Sequence, residues 1–146
     1  MTPAQRLREL LSQPNLEIMP GCYDAISAKL VAAAGFKVAF MSGFAVSATR
    51  LGLPDTGLIS FTEMLDSLRN CCSAAAKIPL IGDGDTGYGN ALNVQRTVQE
   101  LEAAGVAALR PGSKTPRPAS ISFTELQEIV GFPDYWERET RYGVKE

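Results

Sequence analysis

The stretch 78–90, IPLIGDGDTGYGN, carries most of the information about the fold of this 146-residue chain. A short apolar run leads directly into a glycine-rich segment that contains two aspartates, Asp83 and Asp85. Such a run, followed by a turn, is typical of a strand buried in a parallel sheet. Residues i and i+2 of an extended strand end project to the same side, so the two carboxylates are predicted to converge.

The paired aspartates leave two interpretations open. Two carboxylates at close range repel each other unless a cation or a proton lies between them, and oxygen ligands suit Mg²⁺ or Mn²⁺. The alternative is a glycine-rich turn whose aspartates cap the next helix. Gly82, Gly84 and Gly87 match a dinucleotide fingerprint in spacing, but both aspartates would then face a pyrophosphate. A calcium loop would need a bidentate Glu at Val94.

Alternating helix and strand patterns surround this stretch. Helices are predicted at 3–13, 24–34, 60–76 and 91–104, and strands at 16–20, 38–41, 78–81 and 106–109. Asp24 and the capping box that begins at Ser60 mark two of the helix starts. Because glycines and a proline interrupt it, segment 42–59 is predicted to be a long loop. This order predicts an α/β fold with a parallel sheet covered on both faces.

Three more residues are candidates for a site at the carboxyl ends of the strands, where parallel α/β folds bind ligands. Ser42 and Gly43 follow the second predicted strand and offer a hydroxyl and backbone N–H groups to an anion. Asp55 lies further along the same predicted loop and is a candidate second carboxylate. Ordinary turns are the alternative for all three residues.

Composition excludes several classes of function. The net charge is −2 and the pI is about 5.2, so a nucleic-acid partner is not expected. No apolar run is long enough to predict a membrane span. The chain has no histidine, which excludes Ser-His-Asp and Cys-His nucleophilic sites and most catalytic zinc sites. Its three cysteines show no disulfide or zinc spacing and predict a reducing compartment: the cytoplasm, with an organelle as the alternative.

Several separate motifs, in the same order, resemble the isocitrate lyase/phosphoenolpyruvate mutase superfamily. They are CYDAISA at 22–28, MSG at 41–43, LGLPDTGL at 51–58, GDGDTGYGN at 82–90 and NVQRTV at 93–98. The resemblance covers residues 6–109 and is strongest to members of the carboxyvinyl-carboxyphosphonate phosphorylmutase or 2-methylisocitrate lyase type.

The resemblance implies a (β/α)₈ TIM barrel and an enzyme that depends on Mg²⁺, with Mn²⁺ as an alternative. Such an enzyme cleaves or forms a C–C or P–C bond next to a 2-oxo acid, through an enolate that the metal stabilises. Asp83 corresponds to the direct metal ligand, and Asp85 and Asp55 to carboxylates that act through metal-bound water. Ser42 and Gly43, with Asp83, are implied to hold the substrate, which is a small 2-oxo acid, phosphonate or carboxylate.

The resemblance breaks after residue 109. The family continues with an acidic residue and a lid that carries cysteine and histidine, whereas residues 110–118 read RPGSKTPRP. We therefore predict about four βα units in 1–109, a proline-rich linker at 110–120 and a helical segment at 121–146. Since the lid cysteine is absent, no catalytic residue is expected to be intact, and the chain is predicted to be an inactive or weakly active fragment. The alternative is a non-catalytic isoform that associates with full-length subunits, or a homo-oligomer.

Overall fold

The computed structural model describes residues 1–111, so the predicted segment 121–146 and most of the predicted linker lie outside the described part of the chain. Helices and strands alternate along it. The elements are α1 (Pro3–Leu11), β1 (Gly21–Cys22), α2 (Ala25–Ala33), β2 (Ala39–Met41), α3 (Gly43–Leu51), α4 (Phe61–Ala74), β3 (Leu80–Asp85), α5 (Ala91–Ala103) and β4 (Ala108–Pro111). None of the described helices is long and apolar enough to cross a bilayer.

The four strands form one parallel sheet in the order β1-β2-β3-β4. Phe40 of β2 pairs with Gly21 on one side and with Ile81 on the other. Each strand follows its neighbour in the chain through a crossover that contains a helix, as parallel pairing requires. The predicted α/β class with a parallel sheet is confirmed.

Apolar side chains cover both faces of this sheet. The larger cluster packs against helices α2, α4 and α5, and its largest fully buried members are Met41, Met64, Leu68, Leu80 and Leu101. On the other face, Leu7 of α1 packs with Val38 and Ala107, and Ile81 and Ala108 lie alongside them. Helix α1 therefore covers the second face towards the amino ends of the strands.

Local capping explains where two of the predicted helices begin. The Asp24 carboxylate accepts the Ser27 N–H over 2.7 Å at the start of α2. At the start of α4, Ser60 and Glu63 form a reciprocal capping box. These side chains satisfy N–H groups that the first helical turn leaves without partners.

The predicted strand at 16–20 is wrong, because β1 begins only at Gly21. Leu16 is 94% exposed and Ile18 is 67% exposed, so these two apolar side chains lie mainly in solvent rather than in a layer of the fold. Pairing with β2 starts at the Pro20 carbonyl, which accepts the Phe40 N–H over 3.0 Å.

The predicted loop at 42–59 is also wrong in its first half, which forms α3. Ser42 caps the start of this helix, and Gly52 ends it in the left-handed conformation with φ of 64°. Glycine at this position is a common helix stop. The fourth strand runs to Pro111 rather than to 109, so Arg110 and Pro111, predicted as the start of the linker, belong to the sheet.

Candidate functional site

Two backbone N–H groups hold the carboxylate of Asp83 near the carboxyl end of β3. The Gly43 N–H donates to Oδ2 over 3.1 Å, and the Asp85 N–H donates to Oδ1 over 3.0 Å. Hydrogen bonds to an ionised acceptor are stronger than neutral ones. Because each oxygen has a backbone donor, the orientation of this carboxylate is fixed by the ends of β2 and β3.

A β-bulge at the end of β3 provides one of these donors. Asp83 pairs with Arg110 and Asp85 pairs with Pro111, so Gly84 is an extra residue on β3. Asp85 has a φ of 45°, which is uncommon for a residue with a side chain. Bulges are frequent beside active sites, where they change the direction of side chains and backbone groups. The end of β3 is therefore bulged. The sequence prediction assumed a regular strand, in which residues i and i+2 project to the same side, and that assumption does not hold between Asp83 and Asp85.

Helix α3 provides the other donor. Gly43 is its first residue, and a Cβ there would lie 3.0 Å from Asp83 Oδ2 and 3.3 Å from Met64 Cε. A side chain at this position would therefore press on the carboxylate. The Ser42 hydroxyl accepts the Ala45 N–H over 3.4 Å at the helix start. The structure thus brings Gly43, the residue after Ser42, next to Asp83. The Gly43 N–H, which was predicted to face an anion, donates to the Asp83 carboxylate.

The sequence predicts for Tyr88 no more than a place in the lining of the pocket. Its ring lies 5.3 Å from the Phe61 ring, between centroids, and its buried hydroxyl has no hydrogen-bond partner among the described residues. Burial raises the pKa of this phenol, and the charges of Asp85, Asp83 and Asp55 raise it further. All three predicted carboxylates therefore act on one hydroxyl. The only sequence signal for it was its place inside the glycine-rich motif.

Replacing Tyr88 tests this burial through the pH dependence of stability. An unfolded chain loses the phenol proton near pH 10, whereas the folded chain holds it to higher pH because its pKa is raised. The free energy of unfolding is therefore expected to fall as pH rises above about 10. Tyr88→Phe should make this fall smaller in urea unfolding curves at pH 8 and about pH 10.5. The half-exposed Tyr23 supplies the control, and an equal effect of Tyr23→Phe would contradict the expectation.

The oxygen donors fit one mode of metal binding and not another. Within residues 1–111, no three His, Cys, Asp or Glu side chains form a cluster that could hold a metal ion by themselves. The described side chains therefore do not fit a closed structural metal site, in which protein ligands alone surround the ion. Mg²⁺ is usually held by one or two carboxylates, with water and substrate completing the shell. An oriented Asp83, with Asp85 and Asp55 close enough to Tyr88 to raise its pKa as Asp83 does, suits this second mode.

Comparison with known proteins supplies the family. The family model described as phosphoenolpyruvate phosphomutase matches residues 7–129. The chain belongs to this family. The resemblance inferred from the motifs is therefore confirmed, and members of the superfamily include lyases and mutases.

Two relatives show how much of a phosphoenolpyruvate phosphomutase family protein is present. The chloroplastic carboxyvinyl-carboxyphosphonate phosphorylmutase of Arabidopsis thaliana is 51% identical over 102 residues, which cover 70% of this chain and 30% of the relative. The 2,3-dimethylmalate lyase of Eubacterium barkeri is 46% identical over 110 residues, which cover 75% of this chain and 38% of the relative. The chain therefore spans well under half the length of these relatives.

A solved structure of the superfamily shows the same architecture. Phosphonopyruvate hydrolase, in complex with oxalate and Mg⁺⁺, matches with a TM-score of 0.74 and 36% sequence identity. The match covers 87% of this chain and 45% of the hydrolase. The parallel sheet with its helices thus corresponds to part of a TIM barrel.

Proposed function

We propose that this chain carries the metal and oxo acid site of a Mg²⁺-dependent lyase or phosphonomutase. The proposed enzyme cleaves or forms a C–C or P–C bond next to a 2-oxo acid. The observation that carries the proposal is the Asp83 carboxylate, oriented by the N–H groups of Gly43 and Asp85. The lyase and hydrolase relatives support a small 2-oxo acid, phosphonate or carboxylate as the substrate class.

The three carboxylates have different roles in this proposal. Asp83 is the direct ligand, since a carboxylate oxygen that accepts one N–H still has a lone pair to offer. Asp85 and Asp55 act through water molecules of the metal shell. Mg²⁺, or Mn²⁺ in its place, would supply positive charge where the enolate oxygen becomes negative.

In this proposal Ser42 contacts the substrate, and Gly43 orients the metal ligand Asp83. The Ser42 oxygen accepts from the Ala45 N–H, which leaves the hydroxyl proton available to donate to the oxo acid. Gly43 leaves space beside Asp83 because it has no side chain, and its N–H orients the Asp83 carboxylate.

Mg²⁺-dependent binding of oxalate tests the proposal directly. Calorimetry on the 146-residue chain is expected to show saturable oxalate binding with Mg²⁺ present and none with EDTA. The metal is needed because oxalate, a dianion, otherwise meets the like charges of three carboxylates. Oxalate binding of equal strength in EDTA would contradict the proposed metal site.

We further infer that the 146-residue chain alone is inactive or only weakly active. It contains no histidine, and residues 110–118 carry no acid and no cysteine. No group is then available from this stretch to move a proton at the leaving group or to exclude water. Release of a 2-oxo acid at about 10 per second, a usual enzyme rate, would contradict this inference.

Arg110 is expected to weaken the binding of Mg²⁺. It is the pairing partner of Asp83 across β3 and β4, and neighbouring strands lie about 4.8 Å apart. Two residues earlier, Ile81 pairs with Ala108 and both pack on the α1 side of the sheet. Strand alternation therefore places Asp83 and Arg110 on that same side. A guanidinium there repels a divalent cation.

The substitution Arg110→Gln should tighten Mg²⁺ binding about three- to tenfold at low ionic strength, and by less as added salt screens the charges. Titration calorimetry at low and high salt measures both effects. The control is Arg69→Gln, which removes the same charge from the Arg69–Glu100 ion pair of α4 and α5. If both variants bind Mg²⁺ equally well, the local effect of Arg110 is refuted.

A second candidate function is association without catalysis. Exposed apolar side chains occur before β1 and on α2, and they include Leu16, Ile18, Ile26 and Leu30. Grouped exposed apolar residues beside an outer strand are typical of interaction surfaces. We propose that this surface pairs with a full-length family member or with a second copy. The cytoplasmic location stays a prediction.

Co-purification tests the second candidate. The chain should co-elute with a full-length relative at about 10 µM, and a variant with both Ile26→Ser and Leu30→Ser should not. Independent elution of the unmodified chain, as a monomer, at that concentration would exclude this function.

A further inference from the structure

The turn that follows β3 lies directly against one face of helix α5. A Cβ at Gly87 would lie only 2.6 Å from Val94 Cγ2, so the backbone of the turn contacts this helix. Thr97 lies three residues after Val94 and therefore on the same face of α5. It is 4% exposed, and its Oγ1 donates to the Gly87 carbonyl over 3.1 Å. Packing and a buried hydrogen bond thus hold the turn on α5.

The partner of this hydroxyl separates Thr97 from a threonine that supports only its own helix. In helices, threonine often donates to the carbonyl three or four residues earlier. Thr49 does so in α3, where its Oγ1 donates to the Ala45 carbonyl over 2.8 Å. Thr97 donates to a carbonyl ten residues earlier, which lies outside α5. Its hydrogen bond therefore fixes the position of the turn relative to the helix.

The backbone of the turn has an uncommon conformation. The φ angle is 45° at Asp85 and 62° at Tyr88, in the left-handed region that residues with side chains seldom adopt. Such conformations persist only where the surrounding structure holds them. The Gly87 N–H donates to the Gly84 carbonyl over 2.9 Å and closes the turn, while Thr97 holds the carbonyl of Gly87.

The start of this turn orients the carboxylate of Asp83. The Asp85 N–H donates to Asp83 Oδ1 over 3.0 Å, and its direction depends on the backbone angles on either side of it. A turn released from α5 would let Asp85 relax to a more common conformation, and its N–H would then point away from Asp83. The anchored Gly87 lies two residues after this donor, so the anchor acts on the carboxylate through the backbone.

We propose that Thr97 is a positioning residue of the metal and oxo acid site. Its buried hydroxyl holds the turn on α5 and so keeps the Asp85 N–H directed at Asp83. Thr97 contacts neither the metal nor the substrate and acts through Gly87 and Asp85. This role rests on the proposed Mg²⁺ function of Asp83.

Two substitutions separate the hydroxyl of Thr97 from its packing. Thr97→Val removes the hydroxyl and keeps the branched shape, whereas Thr97→Ser keeps the hydroxyl. Calorimetry with Mg²⁺ and oxalate is expected to show about tenfold weaker binding in Thr97→Val and a change of less than about twofold in Thr97→Ser. Unweakened binding in Thr97→Val, or equal weakening in both variants, would overturn the proposal.

Thr49→Val is the matched control for the loss of a threonine hydroxyl from a helix. The Thr49 hydroxyl bonds within α3, so its removal should leave oxalate binding unchanged. Weakening as large as that in Thr97→Val would show that any lost hydroxyl lowers the affinity, and would overturn the specific role of Thr97.

Amide hydrogen exchange in the metal-free chain, followed by NMR, tests the anchor apart from the metal function. In Thr97→Val the Asp85 and Gly87 amides are expected to exchange about tenfold faster, because the turn opens more often. The Leu101 amide, in the buried part of α5, should be accelerated less. Equal acceleration at all three amides, or none at Asp85 and Gly87, would overturn the proposal. Absence of oxalate binding in the unmodified chain would instead contradict the function of Asp83.

Discussion

Replacement of Asp83 by alanine is expected to abolish Mg²⁺-dependent oxalate binding, with a loss of more than about 100-fold in affinity. Asp83 is the carboxylate whose two oxygens are both oriented by backbone donors, and the proposal makes it the direct ligand. Its removal takes away the negative charge of the ligand and leaves the N–H groups of Gly43 and Asp85 without their acceptor. Titration calorimetry with Mg²⁺ and oxalate measures the loss.

Graded substitutions distinguish a direct ligand from carboxylates that act through water. Asp85→Asn and Asp55→Asn should each cost about 10- to 100-fold, because residues that support a metal through other groups contribute less than the ligand itself. Glu102→Gln, an exposed position on α5, removes the same charge and should leave binding unchanged. Equal heats for the unmodified chain and Asp83→Ala would refute the site.

Leu68→Ala is expected to lower the free energy of unfolding by about 2–5 kcal/mol, the usual cost of removing a buried leucine side chain. Leu68 is fully buried in the larger apolar cluster. Its Cδ1 lies 2.6 Å from the position that a Cβ would take at Gly82, so it packs directly on the backbone of β3. Since small domains are stable by only about 5–15 kcal/mol, this loss is a large share of the total.

Urea unfolding measures the cost of Leu68→Ala, and Leu92→Ala supplies a matched control. Leu92 is the same residue type but is 75% exposed on α5, so its substitution should change stability by less than about 0.5 kcal/mol. Leu68→Ala should also lower the apparent affinity for Mg²⁺ and oxalate, because a ligand that binds only the folded chain must then also drive folding. Equal losses of stability in the two variants would contradict the assigned core.

The helices and strands that the sequence predicts well are those with local causes. Asp24 and Ser60 lie within three residues of the N–H groups that they accept, so the starts of α2 and α4 can be recognised from a few neighbouring residues. The strand predicted at 38–41 agrees with β2 because its apolar residues are buried between two layers.

The two errors have different causes, one local and one distant. Gly52 does not interrupt a loop but ends α3 in a left-handed conformation. Ser42 and Gly52, separated by nine residues of suitable spacing, were the signal for this helix. The apolar run at 16–20 looked like a strand, yet only partners in space decide whether such residues pair.

In the candidate site, too, some features can be predicted from the sequence and others depend on distant contacts. The identity of Asp83 could be proposed from its spacing and its motif. Its orientation could not, because the Gly43 donor lies 40 residues away in the chain and the Asp85 donor depends on a bulge in the pairing with β4. The burial of Tyr88 against Phe61 likewise requires the packing of α4 near the glycine-rich segment.

The hydrogen bond from Gly43 to Asp83 also bears on how the protein is made. Both donors of the Asp83 carboxylate lie within the first 85 residues. A ribosome adds about 5–20 residues per second, and the amino-terminal part of the chain emerges and begins to fold first. The carboxylate can therefore be oriented in the nascent chain before synthesis has moved far beyond β4. A cation that binds at this stage would favour the paired strands β2 and β3 and so guide early folding on the ribosome.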